Sequence, residues 1–151
     1  MASLIHELQT RITDRLARLP ELAGLPVLAR QPKQTLDEIE AALSGLSLGF
    51  YVFPPLYREI RQNSTGLFAE EIEIRVSCFE NPALNTGELD AYRLVELALY
   101  TLHHWQPTGL AGVSMLFAKS SPVQDASTAE LVVFDCLFAC SGGFEARPSH
   151  V

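Results

Sequence analysis

Lysine is almost missing from this chain: Lys33 and Lys119 are the only two, and eighteen Asp and Glu against eleven Lys and Arg leave a net charge of −7. A protein that grips DNA or RNA through its phosphates needs clustered positive charge, so that class is excluded. A protein that nucleic acid merely passes is not, because an acidic wall repels the strand and favours sliding over sticking. Long apolar runs are missing too. None approaches the roughly 18–20 residues that a membrane span needs, and no basic stretch followed by an apolar block marks a secretory signal. No membrane partner is expected.

Cysteine is sparse. The three, Cys78, Cys136 and Cys140, are an odd number on strand-like segments. Cys136 and Cys140 share a strand face but stand four residues apart, too far for a relaxed disulfide in a regular strand. They read as small buried apolar residues in a reducing compartment.

Chemical motifs are equally scarce. There is no Gly-x-Ser-x-Gly elbow, phosphate-cradling glycine loop or paired-cysteine zinc spacing. Ser141-Gly-Gly is a lone glycine pair at a strand end, closer to a flexible exit than to an oxyanion site. His103 and His104 are adjacent on an expected helix, so their side chains should diverge by roughly 100°. Metal pairs use i, i+3 or i, i+4 spacing, and surface or helix-end histidines fit better. His6 and His150 lie near the ends without companions. No catalytic residue, metal or cofactor is expected.

What is present centres on Glu70 to Leu110. From Glu71, Ile72, Ile74, Val76 and Cys78 fall on one face and Glu71, Glu73, Arg75 and Ser77 on the other, which predicts a strand with one buried and one wet face. Residues 80–87 are turn chemistry, with Pro82, Asn85 and Gly87. Thr86 is expected to cap a helix with Glu88 and Asp90 in its first turn. That helix carries the stripe Ala91, Leu94, Val95, Ala98, Leu99, Leu102 and Trp105, with Pro107 and Gly109 to stop it. Trp105 ends the stripe and reads as core.

Upstream, Leu4, Ile5, Leu8, Ile12, Leu16 and Leu19 form the apolar stripe of a helix over 3–19, with Arg15 and Arg18 toward its C-terminal end. Residues 25–30 fit a brief edge strand. Thr35-Leu-Asp-Glu38 is a capping-box pattern that opens a second helix, closed near Gly45. Leu46 to Phe53 alternates as a strand and stops at Pro54-Pro55. Residues 56–66 are too short for a helical crossover and too long for a tight turn, so an antiparallel hairpin with an extended arm fits. Tyr57, Arg58, Ile60 and Arg61 suit an arm that reaches a neighbour, and a plainly solvated loop is the alternative.

Downstream, Val113 to Ala118 reads as a strand and 120–128 as a polar connection. Glu130 to Cys140 reads as a final strand, apolar on both faces: either central or covered by another subunit. Asp135 interrupts it and, if buried, needs a partner such as an arginine. The chain is therefore expected to be one α+β domain over 1–140, a mainly antiparallel sheet against about three helices with an extended hairpin arm, then a flexible tail over 141–151. With 48% apolar and 19% charged residues, one globular core is within reach.

One resemblance goes further. The alternating strand that ends in Phe79-Glu-Asn-Pro-Ala-Leu-Asn85, the long helix, His104-Trp-Gln-Pro-Thr-Gly-Leu110 and the late apolar strand resemble the tail-terminator, or tail-completion, proteins of long-tailed phages, prophages and phage tail-like particles. The order of elements is similar from Leu4 to Cys140. The resemblance implies a non-catalytic structural protein that forms a ring, commonly six-fold, on the head-proximal end of a tail tube. It would stop tube polymerisation and offer a docking surface for the head or neck. Implied partners are further copies of itself, the tail tube protein, and sheath and head–tail connector proteins, with DNA only passing through the channel. The implied location is the host cytoplasm during assembly and then the virion or tail-like particle. Residue chemistry points to Tyr57, Arg58, Ile60, Arg61, Glu71, Glu73, Arg75 and Asp135 as the subunit or tube interface. Another connector, neck or tube-associated component shares the same composition. A small-molecule-binding module would instead need a pocket of convergent polar groups.

Overall fold

Ser3 accepts a hydrogen bond from the His6 N–H and opens α1 (Leu4–Ala17), which buries Leu8, Ile12 and Leu16 along the expected stripe. The computed structural model describes residues 3–29, 34–63, 66–110, 112–120, 123–125 and 131–144. β1 (Val27–Ala29) follows, then α2 (Leu36–Ser44), where both halves of the Thr35–Glu38 capping box are made and Gly45 closes the helix. β2 (Leu48–Val52) lies parallel to β1 and antiparallel to β4 (Gly66–Glu80). The segment between them is itself a strand, β3 (Leu56–Asn63), antiparallel to the first half of β4. The expected hairpin arm is therefore sheet throughout its described length.

The link to α3 (Ala91–Leu102) differs from expectation at its cap. Asp90, not Thr86, accepts the Arg93 N–H, so Glu88 precedes the helix. Asn85 explains the delay. Its amide donates to Glu80 Oε2 and to the Leu89 carbonyl, both at 2.7 Å, and its Oδ1 accepts the Gly87 N–H. Glu80 then takes the Ala91 N–H at 3.1 Å, placing a carboxylate at the positive end of α3.

α3 also ends early, five residues before Pro107. His104 takes φ +63° and the chain turns back, with the His104 N–H on the Leu116 carbonyl and the Leu116 N–H on the Trp105 carbonyl. Trp105 thus lies beyond the helix, half-buried against the core beneath the Arg15 guanidinium. The two histidine rings, no longer splayed on a helix, stack 3.9 Å apart, and His103 Nδ1 accepts the Ala118 N–H.

Only Phe117–Ala118 of the expected 113–118 strand joins the sheet, as β5. Ser114 bonds to Ser141 while Leu116 bonds to Trp105, so this stretch alternates between two partners and makes no continuous ladder. The polar connection contains a short strand instead, β6 (Val123–Asp125), with residues 126–128 outside the described set. β7 (Val132–Phe144) runs past Cys140 into the segment expected to be tail; Glu130 and 145–151 lie outside the described residues. Gly142 is what the continuation requires, since a Cβ there would stand 3.3 Å from Ile72 and 3.4 Å from Val113.

Among the described residues the seven strands form one sheet in the order β1-β2-β4-β7-β5, with β3 also along β4 and β6 also along β7. Every pairing except β1–β2 is antiparallel. The fold is the expected α+β class, and β7 is central. α1 and α3 cover one face, over Phe50, Val52, Ile72, Ile74, Val76, Cys136 and Phe138. Each of the Phe, Val and Ile side chains among these, fully withdrawn from water, contributes about 1.5–3 kcal/mol. α2 covers one end of the other face, where Ile39 meets Tyr51, Phe79 and Val133. The rest of that second face is charged.

Candidate functional site

The charged face follows from the period of β4. With Ile72, Ile74 and Val76 under the helices, Glu71, Glu73, Arg75 and Ser77 must point the other way. The ladder then decides their neighbours. β3 brings Leu56 opposite Glu73, and β7 brings Asp135 opposite Ser77. Arg58 reaches Glu73 at 2.9 Å, and Lys119, just past β5, reaches Glu73 at 2.8 Å and Glu71 at 3.2 Å. Arg61 pairs with Glu70 at 3.0 Å. Arg75 pairs with Asp135 at 2.8 Å and lies over the Phe53 ring, while Ser77 donates to the other Asp135 oxygen.

Asp135 has the arginine partner that its place in an apolar strand requires. Both of its oxygens are engaged, so it is a bridge between β4 and β7. Glu73 is the hub of the lattice. Hydrogen bonds from Arg58 and Lys119 hold its carboxyl below the ordinary 4.5, and the same bonds raise the Arg58 guanidinium and the Lys119 ammonium. A carboxylate depressed in the folded state adds stability above its unfolded pKa and loses it as pH falls through the lowered value. Thermal unfolding followed from pH 6 to pH 2 should therefore show a fall below about pH 4.5 that is shallower in Glu73→Gln. Parallel profiles for the two proteins would refute this role.

The other expected site residues divide. Tyr57 lies on the helix side, packed against the core, and burial raises its phenol pKa. Ile60 is 52% exposed on the arm, as is Leu56 at 50%. Sequence reasoning missed Lys119, Glu70 and Phe53 as members of the charged face. Lys119 carried a signal, being one of two lysines, but only the β5–β7 register reveals its partners. Tyr92 and Tyr100, 67% and 87% exposed on α3, were missed as well.

No group of three metal-ligating side chains exists among the described residues. The three thiols are free and buried, and burial pushes Cys140 up to about 12, leaving it a poor nucleophile. No described helix is long and apolar enough to cross a membrane.

The molecule is thus an α+β protein with a helix-covered core face and an ion-paired open face. No protein-family model matches the chain, and no curated protein matches it in sequence. Its fold does recur among solved structures. A chain from the virion of a native gene transfer agent particle shares it with a TM-score of 0.64, over 93% of this chain and 98% of that one, at 15% identity. At that identity the likeness is one of fold.

Proposed function

We propose that this protein is a structural component of a phage-like particle. It closes the head-proximal end of a tail tube as a ring of like copies, six-fold being the common form that the tail-terminator resemblance implies. The observation that carries this reading is the fold shared, across almost the full length of both chains, with a chain of a gene transfer agent virion. The open face fits it: its carboxylates and cations are tied into ion pairs with one another. The role is structural, not catalytic.

In this reading the partners are further copies, the tube protein, and sheath and head–tail connector proteins. The complex assembles in the host cytoplasm and remains in the particle. The −7 charge suits a channel that DNA traverses without adhering.

The test is mass by light scattering across a concentration series, with and without purified tail tubes, followed by imaging. A ring capping one tube end is the expected result. Rings along the shaft or on the head side would move the protein to a neighbouring structural role. Absence of both rings and tube binding would sink the tail reading.

A further inference from the structure

Two clefts on opposite sides of the sheet carry opposite charge. One, of about 590 Å³, lies between α1 and α3 and is lined by Arg15, Arg18 and Arg93 with Leu19, Leu97 and Tyr100. Glu21 and Glu96 neutralise Arg93, and Arg15 is held by the Thr101 carbonyl and the Trp105 ring. Arg18 is exposed and has no carboxylate within ion-pair reach among the described residues. The other cleft, also about 590 Å³, lies beside the arm, where Glu59, Glu70 and Glu71 stand with Phe68 and Phe117. Glu70 and Glu71 have cations, in Arg61 and Lys119. Glu59 has none among the described residues, and the β3–β4 ladder sets it opposite Glu71. Like charges directly opposite in a ladder are destabilising, so a cation from outside would relieve this one.

Resting on the ring reading above, we propose that the arm of one copy seats in the α1–α3 cleft of the next, with Glu59 against Arg18. The occupant is a second copy because the charges complement. Copies that each carry −7 repel one another unless opposite patches meet, and these two clefts are the opposite patches. Apolar contact is available on both sides, from Leu56 and Ile60 on the arm and from Tyr100, 87% exposed, at the cleft. Each copy gives an arm and receives one. Such a head-to-tail contact between different patches generates rings when the rotation closes.

Charge reversal tests the contact. Arg18→Glu and Glu59→Arg are exposed substitutions whose folding is checked by circular dichroism. Each alone should weaken self-association by roughly 100-fold or more, read by light scattering with the protein free and on tail tubes. An equimolar mixture of the two should recover assembly, because acidic and basic patches again face each other around the ring. The double variant should recover it as well. Normal assembly of either single variant, or no recovery in the mixture, overturns the contact while leaving a tube-capping ring intact. Loss of tube binding with self-association unchanged assigns the cleft to the tube protein and also overturns it. Charge-dependent association without binding to tube ends keeps the contact and fells the tail reading. No association of the unchanged chain, free or on tubes, overturns the contact.

Discussion

Phe138→Ala is expected to lower the unfolding free energy by about 3–5 kcal/mol. Phe138 is fully buried in β7, with Ile74 opposite it in β4 and Ala118 opposite it in β5. Truncation removes the transfer energy of the ring and leaves a cavity that the β4–β7 ladder is too constrained to close. For a chain of this size each kcal/mol moves the melting temperature by about 2–4 °C, so the midpoint should fall by on the order of 10 °C. Chemical denaturation checks the same quantity at constant m. A loss under about 1 kcal/mol would mean that the sheet and α3 collapse onto the site, against the packing described here.

Gly49→Val should also destabilise strongly, by crowding instead of emptying. A Cβ at Gly49 would lie 2.6 Å from the Pro26 carbonyl oxygen, and 2.9 Å from both the Phe79 ring and Pro26 Cγ. The obstacle includes backbone, and that carbonyl accepts the Phe50 N–H at 3.1 Å. Moving Pro26 away therefore breaks the entry to the β1–β2 pairing. Overpacking of this kind costs about 1–3 kcal/mol and more where backbone must shift, and valine adds two methyl groups to the clash. The expected readout is loss of the near-ultraviolet aromatic signal or of soluble protein. Gly45→Ala is the control: nothing lies within 4 Å of a Cβ there, so its stability should stay within about 0.5 kcal/mol. Equal behaviour of Gly49→Val and Gly45→Ala would refute this steric account.

Part of this architecture is legible in the chain and part is not. The alternation of Ile72, Ile74 and Val76 against Glu71, Glu73 and Arg75 places β4 and its two faces without any structure, because period and burial are one fact in a strand. The stripe of α1 and the Thr35–Glu38 box are local in the same way. The start of α3 was not legible: Thr86 has the right chemistry for a cap, but Asn85 and Glu80 use the link for contacts between residues distant from the helix axis. His103 and His104 do stand at the helix end on the surface, but their rings stack instead of diverging for a related reason, since the early end of α3 depends on Leu116. β6 hides in a polar stretch because an edge strand needs little apolar surface. Of the charged face, Glu71, Glu73, Arg75 and Asp135 could be named in advance. Their partners could not, because register across β3, β4 and β7 is a property of the whole sheet.

The placement of β7 has a bearing on the order in which the molecule can be built. Its ladder with β4 joins Glu80 to Val132 and Leu67 to Phe144, pairs far apart along the chain. Non-local pairing of this kind must absorb loop-closure entropy before its contacts form, which slows folding relative to a fold of local contacts. On a ribosome, β4 emerges well before its central neighbour and waits with one edge open. Until β7 arrives, Ser77 and Arg75 lack Asp135, and Ile74 lacks Phe138. Completion of the core and of the charged face therefore both wait on β7, and the two are finished together.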